Sequence, residues 1–175
     1  MAAALSIALL ALPISMPRLL LLRHAKSAWG TDVASDHDRP LNKRGQRNAP
    51  AMGVRLAEAG WVPDVVLCST ATRTRQTWAA MEDLAPDVVV TFLPKLYLTG
   101  PRAALPLLAE QTAETVMLVG HNPGFETLAS VLSGIEVQMT TCNAALLTST
   151  AADWARAVEG TWTLEDLLRP RKPRS

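Results

Sequence analysis

The sequence predicts an α/β domain, a three-layer α/β/α sandwich around a mostly parallel sheet. Two observations carry that prediction. Arg18 to Leu22, Val65 to Leu67 and Val116 to Val119 are short apolar runs of the kind that form strands buried on both faces. Between them lie stretches whose apolar residues recur at helical spacing. Strands alternating with helices imply parallel pairing through right-handed crossovers.

Each element follows in chain order. Residues 1–16 read as an apolar N-terminal extension, a mis-assigned start or loose arm, because the run Ala2 to Ser15 is too short to span a bilayer and has no basic residue before it. Arg18 to Leu22 is the first strand. Ala49, Met52, Leu56 and Ala59 share one helix face that ends at Gly60, and Pro50 places the start of the regular helix just before it. Val65 to Leu67 is the second strand, followed by a helix over about Thr72 to Leu84. Val88 to Phe92, rich in β-branched residues, is another strand, and a helix over Arg102 to Glu110 precedes Val116 to Val119. Asn122 and Pro123 read as N-cap and first residue of a helix through Leu128 and Leu132 to Gly134. Ala144 to Ser149 and Trp154 to Glu159 read as two late strands. The domain spans residues 17–168, and residues 169–175 form a basic tail.

Composition narrows the function. The 175 residues are 49% hydrophobic, 19% charged and 5% aromatic, enough apolar material for one globular core. Four of the 17 basic groups, Arg169, Arg171, Lys172 and Arg174, follow Leu168, so the body of the chain is slightly acidic. That is the reverse of a nucleic-acid groove. Cys68 and Cys142 read as two buried thiols in a reducing compartment, which places the protein in the cytoplasm with no membrane association. Neither a GxxxxGK[ST] loop nor GxGxxG is present, so backbone cradling of a nucleotide is not indicated.

The ends of three strands carry the chemistry. The first apolar run ends in Arg23-His24, the second in Ser69 with Arg73 and Arg75 beyond it, and the third in Gly120-His121-Asn122. Ligands of open parallel sheets bind beyond the carboxyl ends of the strands. Two imidazoles and at least one guanidinium therefore meet at one edge, with no Asp, Glu or Cys cluster to hold a metal. Their natural guest is a phosphoryl group. Guanidiniums bind its oxygens bidentately, and a neutral imidazole in line with the scissile bond can act as nucleophile.

At these residues the chain resembles a known family. Leu22-Arg23-His24-Ala25-Lys26-Ser27 resembles the RHG signature of the histidine phosphatase superfamily in an RHA variant. Ser69-x-x-x-Arg73-x-x-Gln76-Thr77 and Val119-Gly120-His121-Asn122-Pro123-Gly124 resemble its second arginine and second histidine motifs. The stretch from Asp36 through Arg39-Pro40-Leu41 to Gly45, with Leu168-Arg169-Pro170-Arg171, is similar to the small phosphohistidine phosphatases of the SixA type. The resemblance implies a phosphoglycerate mutase-like fold. It implies His24 as nucleophile, Arg23 and Arg73 as clamps on the phosphoryl oxygens, His121 as both a catalytic and a substrate-binding donor, and no metal or cofactor. It also implies as partner a phosphorylated protein of the histidine-phosphorelay type, or else a small phosphate substrate. Two alternatives stand beside this: a phosphatase of a small phosphomonoester, and a phosphate-binding module without turnover.

One departure bears on the substrate. Larger relatives carry a carboxylic acid that protonates the leaving oxygen, but the corresponding stretch here is Leu96-Tyr97-Leu98-Thr99. Asp36 or Asp38 could replace it if the loop after the first strand folds back. Without an acid the site favours an easy leaving group: imidazole, with a pKa of about 6.5, leaves far more readily than an alkoxide. Lys26 is a candidate to assist phosphate binding, and Trp29 a candidate for the pocket rim. Arg44, Arg47, Arg75 and His37 are read as solvated, and the other tryptophans as packing.

Overall fold

The computed structural model describes residues 16–30 and 33–170. Six strands form one sheet: β1 (Arg18–Arg23), β2 (Val65–Ser69), β3 (Val89–Leu93), β4 (Thr115–Gly120), β5 (Ala144–Thr148) and β6 (Thr163–Leu168), in the order β3-β2-β4-β1-β5-β6. The four strands β3, β2, β4 and β1 pair in parallel, whereas β5 runs antiparallel to both β1 and β6. The predicted sandwich around a mostly parallel sheet is therefore present.

Side-chain alternation along β1 explains the two helical layers. Leu20 and Leu22 pack with Met52 and Leu56 of α1 (Lys43–Glu58) and Trp78 of α2 (Thr72–Ala79). Leu19 and Leu21 face the other way. They meet Leu107 and Leu108 of α3 (Pro101–Ala109), Phe125 and Leu128 of α4 (Gly124–Ser133), and Trp154 of the short α5 (Trp154–Ala157). All four leucines are fully buried, as a central strand covered on both faces demands.

Four sequence expectations need correction. The helix expected to begin just before Pro50 starts at Lys43, because the Asn42 side chain caps it by accepting the Gly45 N–H at 2.9 Å. Pro50 sits inside α1 on its exposed side, where the carbonyl its missing N–H leaves unpaired can face water. The helix expected to reach Leu84 ends at Ala79, and Glu82–Leu84 form a separate 3-10 turn. Asn122 does not cap α4. The Asn122–Pro123 peptide is cis, the helix begins at Gly124, and the Asn122 amide donates instead to the Met139 carbonyl at 2.8 Å. Trp154 to Glu159 is not a strand. Asp153 caps a four-residue helix there by accepting the Arg156 N–H, and the last strand is β6, which the sequence reading missed.

Residues 1–15 and 171–175, where the extension and most of the basic tail were expected, lie outside the described residues. Among the described residues no helix is long and apolar enough to cross a membrane. Cys68 and Cys142 are both buried and free.

Candidate functional site

β1 and β4 lie side by side, and both end at the same edge of the sheet. β1 ends in Arg23, and the next residue, His24, donates its backbone N–H to the Gly120 carbonyl at the end of β4 at 3.0 Å. The Cys142 N–H donates to both the Arg23 and the His24 carbonyls, at 3.1 and 3.0 Å. Cys142 adopts φ 65° to do so, a left-handed conformation that is uncommon outside glycine. The backbone that presents His24 is thus held from both sides. A pocket of about 210 Å³ opens there, and Arg23, His24, Arg73 and His121 all line it. The structure brings all four predicted side chains together.

The His24 ring is oriented by its own neighbour. Its Nδ1 lies 2.7 Å from the Ala25 carbonyl oxygen. A carbonyl can only accept, so Nδ1 carries the proton and Nε2 keeps its lone pair. Burial, followed by the charges of Arg73, Arg23 and Arg39, lowers the His24 pKa to about 4. The ring is therefore neutral at physiological pH. Ala25 also ties the nucleophile candidate to α2. Its N–H donates to Thr77 Oγ1 at 3.0 Å, and the Thr77 hydroxyl donates to the Arg73 carbonyl at 2.6 Å. Thr77 of the second arginine motif thereby acquires a structural reason, and Gln76 beside it accepts the Leu41 N–H at 2.7 Å.

His121 follows β4 directly, with its ring centroid 5.1 Å from that of His24. Its Nε2 lies 2.9 Å from Ser69 Oγ, while Nδ1 is buried without a partner. Ser69 Oγ already accepts the Ala71 N–H at 3.4 Å, so its own proton is free for Nε2. That tautomer leaves an unpaired Nδ1–H, the donor that an anion would satisfy. Burial first, then the facing His24 and Arg73, lower its pKa to about 3, so His121 is neutral as well. Arg23 donates to the Met139 carbonyl at 2.6 Å, and its Nε is a second buried donor without a partner.

Arg73 is almost wholly buried, and each of its terminal nitrogens spends one of its two N–H donors on Asp36, which leaves the other for a ligand. The two nitrogens donate to the Asp36 carbonyl at 2.6 Å and to Asp36 Oδ2 at 3.0 Å. The loop after β1 does fold back over the site, as the sequence reading required for Asp36 to act as an acid. The same fold-back removes that role. Asp36 accepts from the Tyr97 hydroxyl at 2.7 Å and from Arg39 at 2.5 Å as well as from Arg73, and these contacts lower its carboxyl pKa to about 2 despite some desolvation. It is a carboxylate throughout the neutral range and holds no proton to donate. Asp38 points elsewhere, accepting from the Ser35 hydroxyl at 2.7 Å.

Arg39 is a charged pocket residue to which the sequence reading gave no role. It donates to the Ala28 carbonyl at 2.9 Å and to Ser27 Oγ at 2.5 Å, and its guanidinium lies 3.7 Å over the Trp29 ring. The Asp36-x-x-Arg39 spacing was the available signal. Lys26 and Trp29 line the pocket as expected. Arg44, Arg47 and Arg75 are exposed, whereas His37 is half-buried and shares a hydrogen bond with Thr70 Oγ1 at 3.0 Å. Among the described residues no group of three or more His, Cys, Asp or Glu side chains could hold a metal ion.

The site is thus a small polar pocket with neutral imidazoles, convergent guanidiniums and unpaired buried donors, fitted to a tetrahedral anion. The family model of the histidine phosphatase superfamily (branch 1) matches residues 19–96. An uncharacterized chloroplastic protein of Arabidopsis thaliana is 38% identical, the match covering 87% of this chain and 78% of that protein. A solved structure described as "putative phosphohistidine phosphatase SixA" from Agrobacterium tumefaciens is 32% identical with a TM-score of 0.77, covering 88% of this chain and 98% of that one. The structure given the same description from Nakamurella multipartitia is 31% identical with a TM-score of 0.78, covering 89% and 96%. The fold is accordingly the phosphoglycerate mutase-like fold of these proteins. Likeness at this level over the whole of the domain answers the question the pocket raised, and the chain belongs to the histidine phosphatase superfamily and is a phosphatase.

Proposed function

We propose that this phosphatase dephosphorylates phosphohistidine on proteins through a covalent intermediate on His24. The observation that carries the reading is the fixed tautomer of His24, whose Nδ1–H is held by the Ala25 carbonyl and whose Nε2 is left free. In the first step Nε2 attacks phosphorus, the P–N bond to the substrate imidazole breaks, and that ring leaves with the bonding pair. A substrate ring protonated at its far nitrogen leaves as neutral imidazole. His24 keeps its Nδ1 proton throughout, so transfer between the two rings moves no proton at all. In the second step water attacks phosphorus, His24 leaves as neutral imidazole, and the proton lost by the water ends on phosphate or in solvent.

That proton balance accounts for a pocket in which Asp36, the lining carboxylate among the described residues, is tied up as an ion-pair acceptor. An alkoxide leaving group would need a proton donor, which the ionised Asp36 does not supply. Arg23, Arg73 and the Nδ1–H of His121 stabilise the equatorial oxygens as charge develops on them, the main demand of phosphoryl transfer. The two free thiols suit a reducing compartment such as the cytoplasm.

The test is turnover of phosphoramidate and of a histidine-phosphorylated phosphotransfer domain, in chelator at neutral pH. Wild-type protein hydrolyses both, and brief mixing with labelled substrate traps acid-labile, base-stable label on the protein. His24→Ala loses turnover and label while its circular dichroism is unchanged. Equal turnover by the variant would remove the nucleophile assignment. A preference of about a thousandfold (about 4 kcal/mol) for simple esters would replace the substrate class by small phosphomonoesters.

A further inference from the structure

The wall of the pocket and its lip differ in chemistry. The wall is polar: Arg23, His24, Ser27, Arg73, His121 and Asn122 are buried or half-buried. Among the described lining residues Trp29 and Leu98 are the apolar ones, and they are also strongly exposed, at 74% and 56%. We infer that Trp29 and Leu98 form an apolar lip that docks the protein surface surrounding the phosphorylated side chain. This rests on the phosphohistidine reading above and adds to it the surface that selects a folded protein over a small phosphate.

Both side chains are held in place while facing water. The Trp29 indole is stacked under the Arg39 guanidinium, which is itself fixed by Ala28, Ser27 and Asp36. Leu98 sits at φ 49°, a conformation that costs a leucine about 1–2 kcal/mol and persists where the surroundings enforce it. The enforcement is visible on both sides of it. Tyr97 is tied to Asp36 at 2.7 Å. The Thr99 carbonyl lies so close to α4 that a Cβ on Gly124 would stand 1.5 Å from it. Strain spent on an exposed apolar side chain at the mouth of an ionic pocket is a mark of function rather than of folding.

Size and chemistry identify the occupant. A pocket of about 210 Å³ takes a phosphoryl group and the ring that bears it, so the rest of the substrate lies against the lip. Sugar or glycerol hydroxyls lying against the indole face and the isobutyl group would lose hydrogen bonds to water that these two surfaces do not replace. The apolar residues flanking a phosphorylated histidine on a protein would lose water against both. Exposed aromatic side chains held rigid lose little conformational freedom on docking, as interface anchors do.

The experiment compares wild type, Leu98→Gly and the double variant Trp29→Ala/Leu98→Gly. Glycine accepts the φ of position 98 without strain, so the fold is not put at risk. Three substrates are used: phosphoramidate, free phosphohistidine and a histidine-phosphorylated phosphotransfer domain. For the domain, kcat/KM of the double variant falls about tenfold or more, mostly through KM. For phosphoramidate it stays within about twofold. An unchanged rate on the domain overturns the lip, and so does an equal loss on all three substrates, which would make the two residues structural. Wild type that hydrolyses phosphoramidate and free phosphohistidine but not the domain overturns docking while leaving the chemistry at His24 intact. Wild type inactive on every phosphohistidine substrate overturns the substrate reading first, and the lip with it.

Discussion

The two ends of β1 are built by different rules. At its start, Arg18 donates to the Gly60 carbonyl at 3.0 Å and lies 4.1 Å over the Trp61 ring, and Pro17 accepts the Ser149 N–H at 3.0 Å. Every one of these groups has its partner within the fold. At its finish, the described residues include four buried side-chain polar atoms without a hydrogen bond: Arg23 Nε, His121 Nδ1, Asn122 Oδ1 and Asn143 Nδ2. Among the described residues the two non-glycine positions with positive φ, Leu98 and Cys142, sit at the same end. Unpaired buried groups and strained backbone each cost on the order of 1–3 kcal/mol. Within the six residues of one strand, the chain goes from full satisfaction to concentrated deficit. The deficit marks where a ligand completes the structure.

Arginine-to-alanine changes at the two ends break or sharpen this contrast. Arg73→Ala has the larger effect. It removes a buried guanidinium aimed at the anion, a loss on the order of the 2.7–4 kcal/mol measured for one oxyanion donor, so kcat/KM on phosphoramidate falls about 10²–10³-fold. Stability changes little, because the deleted partner of Arg73 is the half-exposed Asp36, which keeps Arg39 and Tyr97. Steady-state kinetics paired with urea unfolding reads both quantities. A drop below tenfold with a large loss of stability would mean that Arg73 belongs to the scaffold.

How much of this contrast is legible in the sequence follows from physical range. β1, β2 and β4 are short apolar runs because both of their faces are covered, and so they declare themselves. β6 does not: its buried positions are interrupted by the exposed Glu165 and Asp166, and a register shift at Leu146/Leu147 accompanies it at the edge of the sheet. The start of α1 is hidden for a related reason, since Lys43, Arg44, Gln46 and Arg47 are exposed and show no apolar period. In the site, Arg23, His24, Arg73 and His121 are legible because strand ends of a parallel sheet converge. The bridging of Arg39, Arg73 and Tyr97 by Asp36 is not, because it joins three segments through a loop whose path no local pattern encodes. The same bridge decides the protonation of Asp36, which is why a carboxylate near the site could be read from the sequence as an acid.

An intermediate effect comes from pH. His24 and His121 are neutral in the folded protein with pKa values lowered to about 4 and about 3, against 6.5 in the unfolded chain. Below pH 6.5 the unfolded chain therefore binds more protons than the folded one, and stability falls with pH. The contribution is complete above about pH 6.5 and is lost as the pH drops through the folded values. By pH 5 the loss is on the order of 1–2 kcal/mol for each ring. Urea unfolding at pH 7, 6 and 5 measures it, and His24→Ala flattens the slope. A slope unchanged by that substitution would mean that His24 is not held neutral. Phosphate added at pH 7 would then raise the midpoint by binding alone, which separates the ligand's contribution from that of the protons.

The smallest effect belongs to the satisfied end. Arg18→Ala removes one hydrogen bond to a carbonyl and a cation–π contact, each worth about 0.5–1 kcal/mol at a partly exposed position. Unfolding free energy falls by about 1 kcal/mol, while kcat/KM on phosphoramidate stays within about twofold, because β1 is pinned along its whole length by β4 and β5. Set beside Arg73→Ala, the result is a crossed pair, with activity lost at one end and stability at the other. Loss of turnover at an unchanged unfolding midpoint would show that a change at Arg18 reaches His24 through the strand. The two ends would then be one mechanical unit, and the unpaired donors near His24 would be held in place by the packing of the whole strand rather than by the Ala25, Thr77 and Cys142 contacts around them.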